Sequence, residues 1–223
     1  THGFHEELAN VKKNGQMGYI DYSGAYAFTN IFDEAVWFYR GISSVRIGSK
    51  WGLIDRNCNY ILPPIMDDVD TLCSHSFDGT SIAIEINSKY GFADTNGNVY
   101  CEPQYQLAFS GLEGMGFVRE KMGGKWACVD PTGKRVTPFT FDNFSKFFNG
   151  IACVRIGGTE NQYDRLYGGK AGYISKTGEF VIPPKYDDAS DFIDGYAMVR
   201  IGSKWGLIDR SGNYVVSPKF TFI

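Results

Sequence analysis

Three histidines and five cysteines are the first residues to weigh for chemistry. His75 stands two positions after Cys73. On a strand that spacing turns both side chains to one face and would suit a thiol activated by an imidazole base. No third group can be placed to orient the imidazole, and the run TLCSHSFDG around the pair reads as a polar loop. His2 and His5 lie near the N-terminus. Cys58, Cys73, Cys101, Cys128 and Cys153 are odd in number, widely spaced and without a CxxC pair, so the sequence offers no zinc site. Cys128 and Cys153 sit in apolar, strand-like runs, where a buried free thiol is the plain reading. This leans towards a reducing, cytoplasmic compartment. A secreted or periplasmic one stays open if a leader has been removed, although Thr1 to Glu7 do not read as a signal peptide.

The carboxylates are more numerous. Asp21, Asp55, Asp94, Asp130 and Asp209 could be taken for paired acid–base groups, but they recur in equivalent turns. A catalytic pair is needed once, whereas a turn cap is needed in every turn, so capping is the expected role. Asp67, Asp68 and Asp70, and the stretch from Asp187 to Asp194, could gather calcium, yet they match no EF-hand loop. Gly111, Gly114 and Gly116 imitate a phosphate loop but lead into the strand-like Phe117-Val118-Arg119 instead of a helix. Net charge is -3 with no basic run, which argues against nucleic acid. No apolar stretch reaches the roughly 20 residues of a membrane helix. The reading is therefore no catalytic residue, no metal and no cofactor.

The elements that must position these residues are repeated. GISSVRIGSKWGLIDRNCNYILPPIM, from Gly41 to Met66, returns as GYAMVRIGSKWGLIDRSGNYVVSPKF, from Gly195 to Phe220. Aligned on the Trp position, six copies fall at Met17, Trp51, Tyr90, Trp126, Ala171 and Trp205, at intervals of 34, 39, 36, 45 and 34 residues. Glycine follows the anchor except at Ala127. Then come the Asp-x-x-Gly turn, the prolines (Pro63-Pro64, Pro103, Pro138, Pro183-Pro184, Pro218) and a large side chain, usually before Asp. Fixed-period self-similarity outranks local propensity, because each unit must bury its face on a neighbour.

Within a unit, Ala197 to Ile201 alternates as a strand. Gly202-Ser203 is a glycine-first hairpin turn, Lys204 to Asp209 a second strand, and Asn213 to Ser217 a third ended by Pro218. The Trp is expected to be the core plug, and the glycine beside it to admit close approach of backbone or a ring. A less regular return segment carries Phe38, Phe77, Phe109, Phe147 or Phe192, with Phe4 before the first copy, as a latch onto the sheet. The fold expected is all-β: tandem three-stranded antiparallel meanders in an open, solenoid-like array. A closed propeller-like ring is the alternative, disfavoured because propeller blades have four strands. The chain reads as one array, 1–223, of about six units at approximately 4–37, 38–76, 77–108, 109–146, 147–191 and 192–223.

The run Lys-Trp-Gly-Leu-Ile-Asp at Lys50 to Asp55 and Lys204 to Asp209, the Asp-x-x-Gly turn, the apolar-Pro-Pro segment and the aromatic-Asp pair resemble the WG-repeat family from Phe4 to Phe220. Met17, Ala127 and Ala171 depart at its signature positions. The resemblance implies a bacterial origin and a β-repeat fold. It attaches no general catalytic activity and carries over no catalytic residue.

Function is then sought where the repeat breaks its own rule. The largest break is GGTENQYDRLYGG, between Ile156 and Lys170, which places Tyr163, Arg165 and Tyr167 on a glycine-flanked loop. Tyr and Arg are favoured at binding hot spots. The dense aromatics of Val36 to Arg40 offer Trp37 and Tyr39 as further contacts. Arg46, Arg119, Arg155 and Arg200 recur in the first strand, either as a ladder on one face or as solvent-side decoration. The expectation is a non-catalytic binding or scaffolding module for protein partners. A structural spacer of a larger protein, or a glycan-binding or sugar-processing protein, are the alternatives.

Overall fold

The computed structural model describes residues 3–28, 32–68, 80–160 and 166–221. It divides into two compact units, Thr1–Gln104 and Tyr105–Ile223.

All the regular structure among the described residues is antiparallel β. In the first unit β1 (Ala9–Lys13) pairs with β2 (Gln16–Ile20), and a four-stranded sheet runs β3 (Glu34–Ala35), β4 (Ile42–Ile47), β5 (Lys50–Asp55), β6 (Tyr60–Met66). A three-stranded sheet follows, with β7 (Ile82–Ile86), β8 (Lys89–Ala93) and β9 (Val99–Tyr105), whose last residue opens the second unit. The second unit holds a three-stranded sheet of β10 (Leu107–Ser110), β11 (Gly116–Arg119) and β12 (Trp126–Val129). Two four-stranded sheets complete it. One contains β13 (Asn143–Phe144), β14 (Ile151–Glu160), β15 (Leu166–Ser175) and β16 (Phe180–Tyr186). The other contains β17 (Asp188–Ala189), β18 (Tyr196–Ile201), β19 (Lys204–Asp209) and β20 (Tyr214–Phe220). Every sheet has open edges.

The expected three-stranded meander is thus short by one strand. The return segment does more than latch: Glu34–Ala35 pairs with Arg46 and Val45, and Asp188–Ala189 pairs with Arg200 and Val199. It then crosses to the next strand through a two-residue turn with both residues left-handed, as at Arg40-Gly41 and Asp194-Gly195. That is the turn that matches strand twist in a hairpin. Two residues are too few to show a strand period, which hid them from the sequence. The strand count consequently offers no ground for preferring an open array over a ring.

The glycine after the Trp position admits a bulge. Trp51 pairs with Met66 and Leu53 with Leu62, so three residues of β6 oppose the single Gly52. A Cβ on Gly52 would lie 2.9 Å from both the Leu62 carbonyl oxygen and the Pro64 nitrogen. Gly172 and Gly206 face Pro183-Pro184 and Pro218 in the same way. Proline is tolerated at a bulge because no ladder N–H is lost there. In the fourth copy Ala127 occupies the glycine place, and no third strand pairs continuously with β12. Thr137 Oγ1 instead accepts the Cys128 N–H at 2.8 Å.

The core lies between successive sheets. Val45 and Ile54 pack with Tyr19 and Phe38, whereas Ile42 and Leu53 pack with Ile82 and Ile84 on the other face. In the second unit Phe117, Cys128, Val154 and Ile174 form one cluster, and Tyr173, Tyr186, Val199 and Ile208 another.

Three latch assignments hold and two do not. Phe38, Phe147 and Phe192 are buried. Phe109 is 52% exposed and Phe4 41% exposed. Gly111 stands six positions after Tyr105, as Phe38 does after Phe32, so the latch place there holds a glycine and Phe109 belongs to β10. Phe77 lies outside the described residues. The Trp is not uniformly the core plug either. Trp126 is buried, but Trp51 and Trp205 are only half-buried. The plug is the residue two places on: Tyr19, Leu53, Phe92, Cys128 and Tyr173 are fully enclosed.

Candidate binding cleft

The recurring charged residues are spent on structure. Asp209 Oδ1 accepts the N–H groups of Ser211 and Asn213, each at 2.9 Å, and Asp55 and Asp94 do the same in their turns. The hydrogen bond from the Asn213 side chain and those from the backbone hold the Asp209 carboxyl below its ordinary value. The second recurring Asp, in the aromatic-Asp pair, ties one sheet to the next. Asp187 is paired with Lys170, just before the anchor of its own sheet, and accepts the Gly202 N–H of the following sheet at 2.6 Å. Asp142 repeats this with Lys125 and Gly158, and Asp67 with Lys50 and Ser88. That staple accounts for the Lys of Lys-Trp-Gly, a role the sequence reading missed because the Asp stands 17 residues on and the N–H it accepts comes from the next sheet.

The arginines are not mere decoration. Arg46 pairs across the ladder with Trp51, Arg119 with Trp126 and Arg200 with Trp205. Each guanidinium lies over the opposite indole, at 5.9, 4.4 and 5.7 Å from the ring centroid. Such cation–π contacts strengthen as they are desolvated.

Arg155 breaks the series, because its ladder partner is Ala171. With alanine in place of the indole across the ladder, the guanidinium donates to the carbonyl oxygens of Asp187 at 2.9 Å and Gly168 at 3.1 Å, and pairs with Asp188 Oδ1 at 3.0 Å. Here the second unit opens into a cleft of about 440 Å³, lined by Asn143 to Ser145, Cys153 to Arg155, Ala171 and Asp188 to Asp191. The β13 end forms one wall, the β17 end the other, and Ala171 the floor. Cys153 lines it too, but burial pushes its thiol up to about 12 and the Asp191 charge adds to the shift. Such a thiol is a poor nucleophile near neutrality. Among the described residues no group of three or more His, Cys, Asp or Glu could hold a metal ion.

Of the residues singled out from the sequence, Trp37 and Tyr39 belong to the first unit and are not among those lining this cleft. Trp37 stacks on His5 with ring centroids 5.6 Å apart, and Tyr39 packs against the Ile42–Leu53 core, so both serve the first unit. Tyr163, Arg165, Cys73 and His75 lie outside the described residues. The backbone of Tyr167 pairs with Thr159, so the described flanks of the insertion belong to β14 and β15, the same two strands that contribute Cys153 to Arg155 and Ala171 to the cleft. The cleft itself was missed, although one signal was in view: Ala171 at a Trp position.

A model of the WG containing repeat matches residues 17–51, 90–126, 126–159, 172–205 and 205–223. The chain belongs to the WG containing repeat family. The matched segments begin at the anchors Met17, Tyr90, Trp126 and Trp205, and the fourth begins just after Ala171. Among curated proteins no relative matches. Solved structures that match include a eukaryotic initiation factor, at 14% identity and a TM-score of 0.48, over 95% of this chain and 63% of that one. This WG-repeat chain therefore spans less than two thirds of that protein's length. Hsv2p of Kluyveromyces lactis matches at 7% identity and a TM-score of 0.42, covering 93% of this chain and 73% of that one. Virginiamycin B lyase of Staphylococcus aureus matches at 12% and 0.33, covering 97% and 83%. At these scores no activity is carried over to the WG-repeat chain.

Proposed function

We propose that this chain is a non-catalytic binding or scaffolding module for protein partners, and that the cleft floored by Ala171 is its contact site. The observation that carries the reading is the contrast between repeats. In the preceding copy Arg119 and the Lys125–Asp142 pair tie strands and sheets together, and the buried Trp126 fills the anchor place. At Ala171 the same framework leaves about 440 Å³ open. A volume of roughly 300–1,000 Å³ suits a small ligand or an anchoring side chain. The polar edge of Asn143, Ser145, Ser190 and Asp191 around an apolar floor matches the rim and centre of a recognition site.

A photo-crosslinking residue placed at the exposed Asn143, and separately at the exposed Tyr60 of the first unit, tests this in extracts of the native cells. A discrete protein adduct from position 143 and none from position 60 is the expected outcome. Equal labelling from both, or none from either, would leave the chain a structural spacer.

A further inference from the structure

Two successive sheets of the second unit build the same place from different residues. Around β12, Phe109, Phe117, Trp126 and Phe144 form an aromatic cluster. Phe144 stacks on Phe117 at 3.9 Å and meets Trp126 edge-on at 5.0 Å, while Phe109 lies 5.4 Å from Trp126. Arg119 covers the indole. Counted from the aromatic-Asp pairs and the anchor, the counterparts one repeat later are Ser145, Cys153, Ala171 and Ala189. All four line the cleft. The space held by four rings in one sheet is thus held by four small side chains in the next, with the arginine retained as Arg155.

We infer that the cleft receives a planar aromatic side chain, tryptophan foremost, presented by a partner polypeptide. This rests on the binding reading above and adds to it the chemistry of the ligand. The retained arginine argues for a ring: a guanidinium face is matched to an indole face. Arg155 is anchored by three acceptors independently of any ring, so its orientation costs little on binding. Its side chain is 18% exposed, enough to offer a face to the cleft. The small side chains of Cys153, Ala171 and Ala189 leave room for the ring, and Phe144 lies beside them in the lining. Asp188, Ser190 and Asp191 supply acceptors for an indole N–H. The occupants of the equivalent place in this chain are themselves side chains on a polypeptide, which favours a peptide over a free aromatic compound.

The test is an NMR titration of the full chain with acetyl-Ala-Trp-Ala-amide, with the leucine analogue and with indole. The Trp peptide should shift the amides of Cys153, Ala171, Asp188 and Ala189 saturably. The leucine peptide should bind at least about tenfold more weakly, a difference of 1.4 kcal/mol. Ala171→Trp, which introduces the residue of three of the other repeats, should abolish the shifts while keeping a cooperative thermal transition. Ala189→Phe serves as the second blocking variant should Ala171→Trp fail to fold. Equal binding of the leucine peptide, or undiminished binding to a folded blocking variant, would overturn the assignment. Indole binding as tightly as the peptide would replace the polypeptide with a free aromatic ligand and overturn it as stated. The two readings separate cleanly. Loss of the position-143 adduct in Ala171→Trp without Trp-peptide binding keeps the binding function and removes the aromatic ligand. An adduct unaffected by Ala171→Trp removes the cleft as contact site.

Discussion

The guanidinium of Arg119 lies 4.4 Å from the centroid of the Trp126 ring, directly across the β11–β12 ladder, and the arginine is almost wholly buried. The pair defines what the repeat's strand arginine is for. Arg119→Ala should destabilise the chain by about 1–2 kcal/mol, the range of a largely desolvated cation–π contact. Arg155→Ala, with Ala171 across the ladder in place of the indole, should lose its hydrogen bonds but no cross-ladder stacking term. Urea denaturation of both variants and of Trp126→Leu in a double-mutant cycle measures the coupling. A coupling energy of zero for Arg119 and Trp126 would refute it.

The glycine after the anchor should not tolerate even one methyl group where the proline-bearing strand lies against it. A Cβ on Gly91 would stand 2.3 Å from the Cys101 carbonyl oxygen and 2.7 Å from the Pro103 nitrogen. Both contacts are backbone, so the bulged strand itself must move. Gly91→Ala is expected to cost about 1–3 kcal/mol, the usual penalty of overpacking. A denaturation midpoint equal to that of the unaltered chain would show that the bulge yields freely.

Asp142 holds β12's sheet to β14's through Lys125 and the Gly158 N–H. Its side chain is 6% exposed while that of Lys125 is 45% exposed, so solvent screens the ion pair and most of the value rests on the backbone bond. Asp142→Ala should cost about 1–3 kcal/mol, the penalty of leaving a buried N–H unsatisfied. Lys125→Ala should cost no more than about 1 kcal/mol. Amide exchange at Gly158, read by NMR, should accelerate in the first variant and change little in the second.

The turn aspartates should impose an acid limit. The carboxyls of Asp21 and Asp209 are held below the ordinary value of 3.8, chiefly by side-chain hydrogen bonds from Ser23 and Asn213. In Asp55 and Asp94 desolvation opposes the shift, but the hydrogen bonds outweigh it. A folded-state value below the unfolded one contributes stability that is present above the unfolded pKa and lost as pH falls through the folded one. Stability should therefore be flat with respect to these groups near neutrality and decline below about pH 4. Carboxyl NMR titration checks it; midpoints at or above 3.8 would contradict the capping geometry.

Filling the cleft should stabilise the chain. Ala171→Trp together with Ala189→Phe re-creates the Trp126–Phe144 pair one repeat later. Burying those rings is worth about 1.5–3 kcal/mol each before strain, and about 1 kcal/mol raises Tm by roughly 2–4 °C at this size. A rise of several degrees in the double variant is expected by calorimetry; a fall would mean that the cleft is too narrow for both rings.

The sequence by itself determined the repeat, the all-β class and the Asp-x-x-Gly turn, because each depends on partners a few residues away. Asp209, Ser211 and Asn213 meet within one turn wherever that turn lies. The glycine beside the anchor was legible as a close approach, though not that the Pro-Pro segment bulges against it. Short return strands, the Lys–Asp staples and the real place of Phe109 were decided only by tertiary structure, since they depend on which strand or sheet lies alongside. The cleft is the clearest case. Ala171 was visible as a departure from the repeat, but a missing side chain opens a space only if its neighbours fail to fill it. Those neighbours, Ser145, Cys153 and Ala189, come from three other segments on two sheets, which Arg155 joins by its bonds to Asp187 and Asp188.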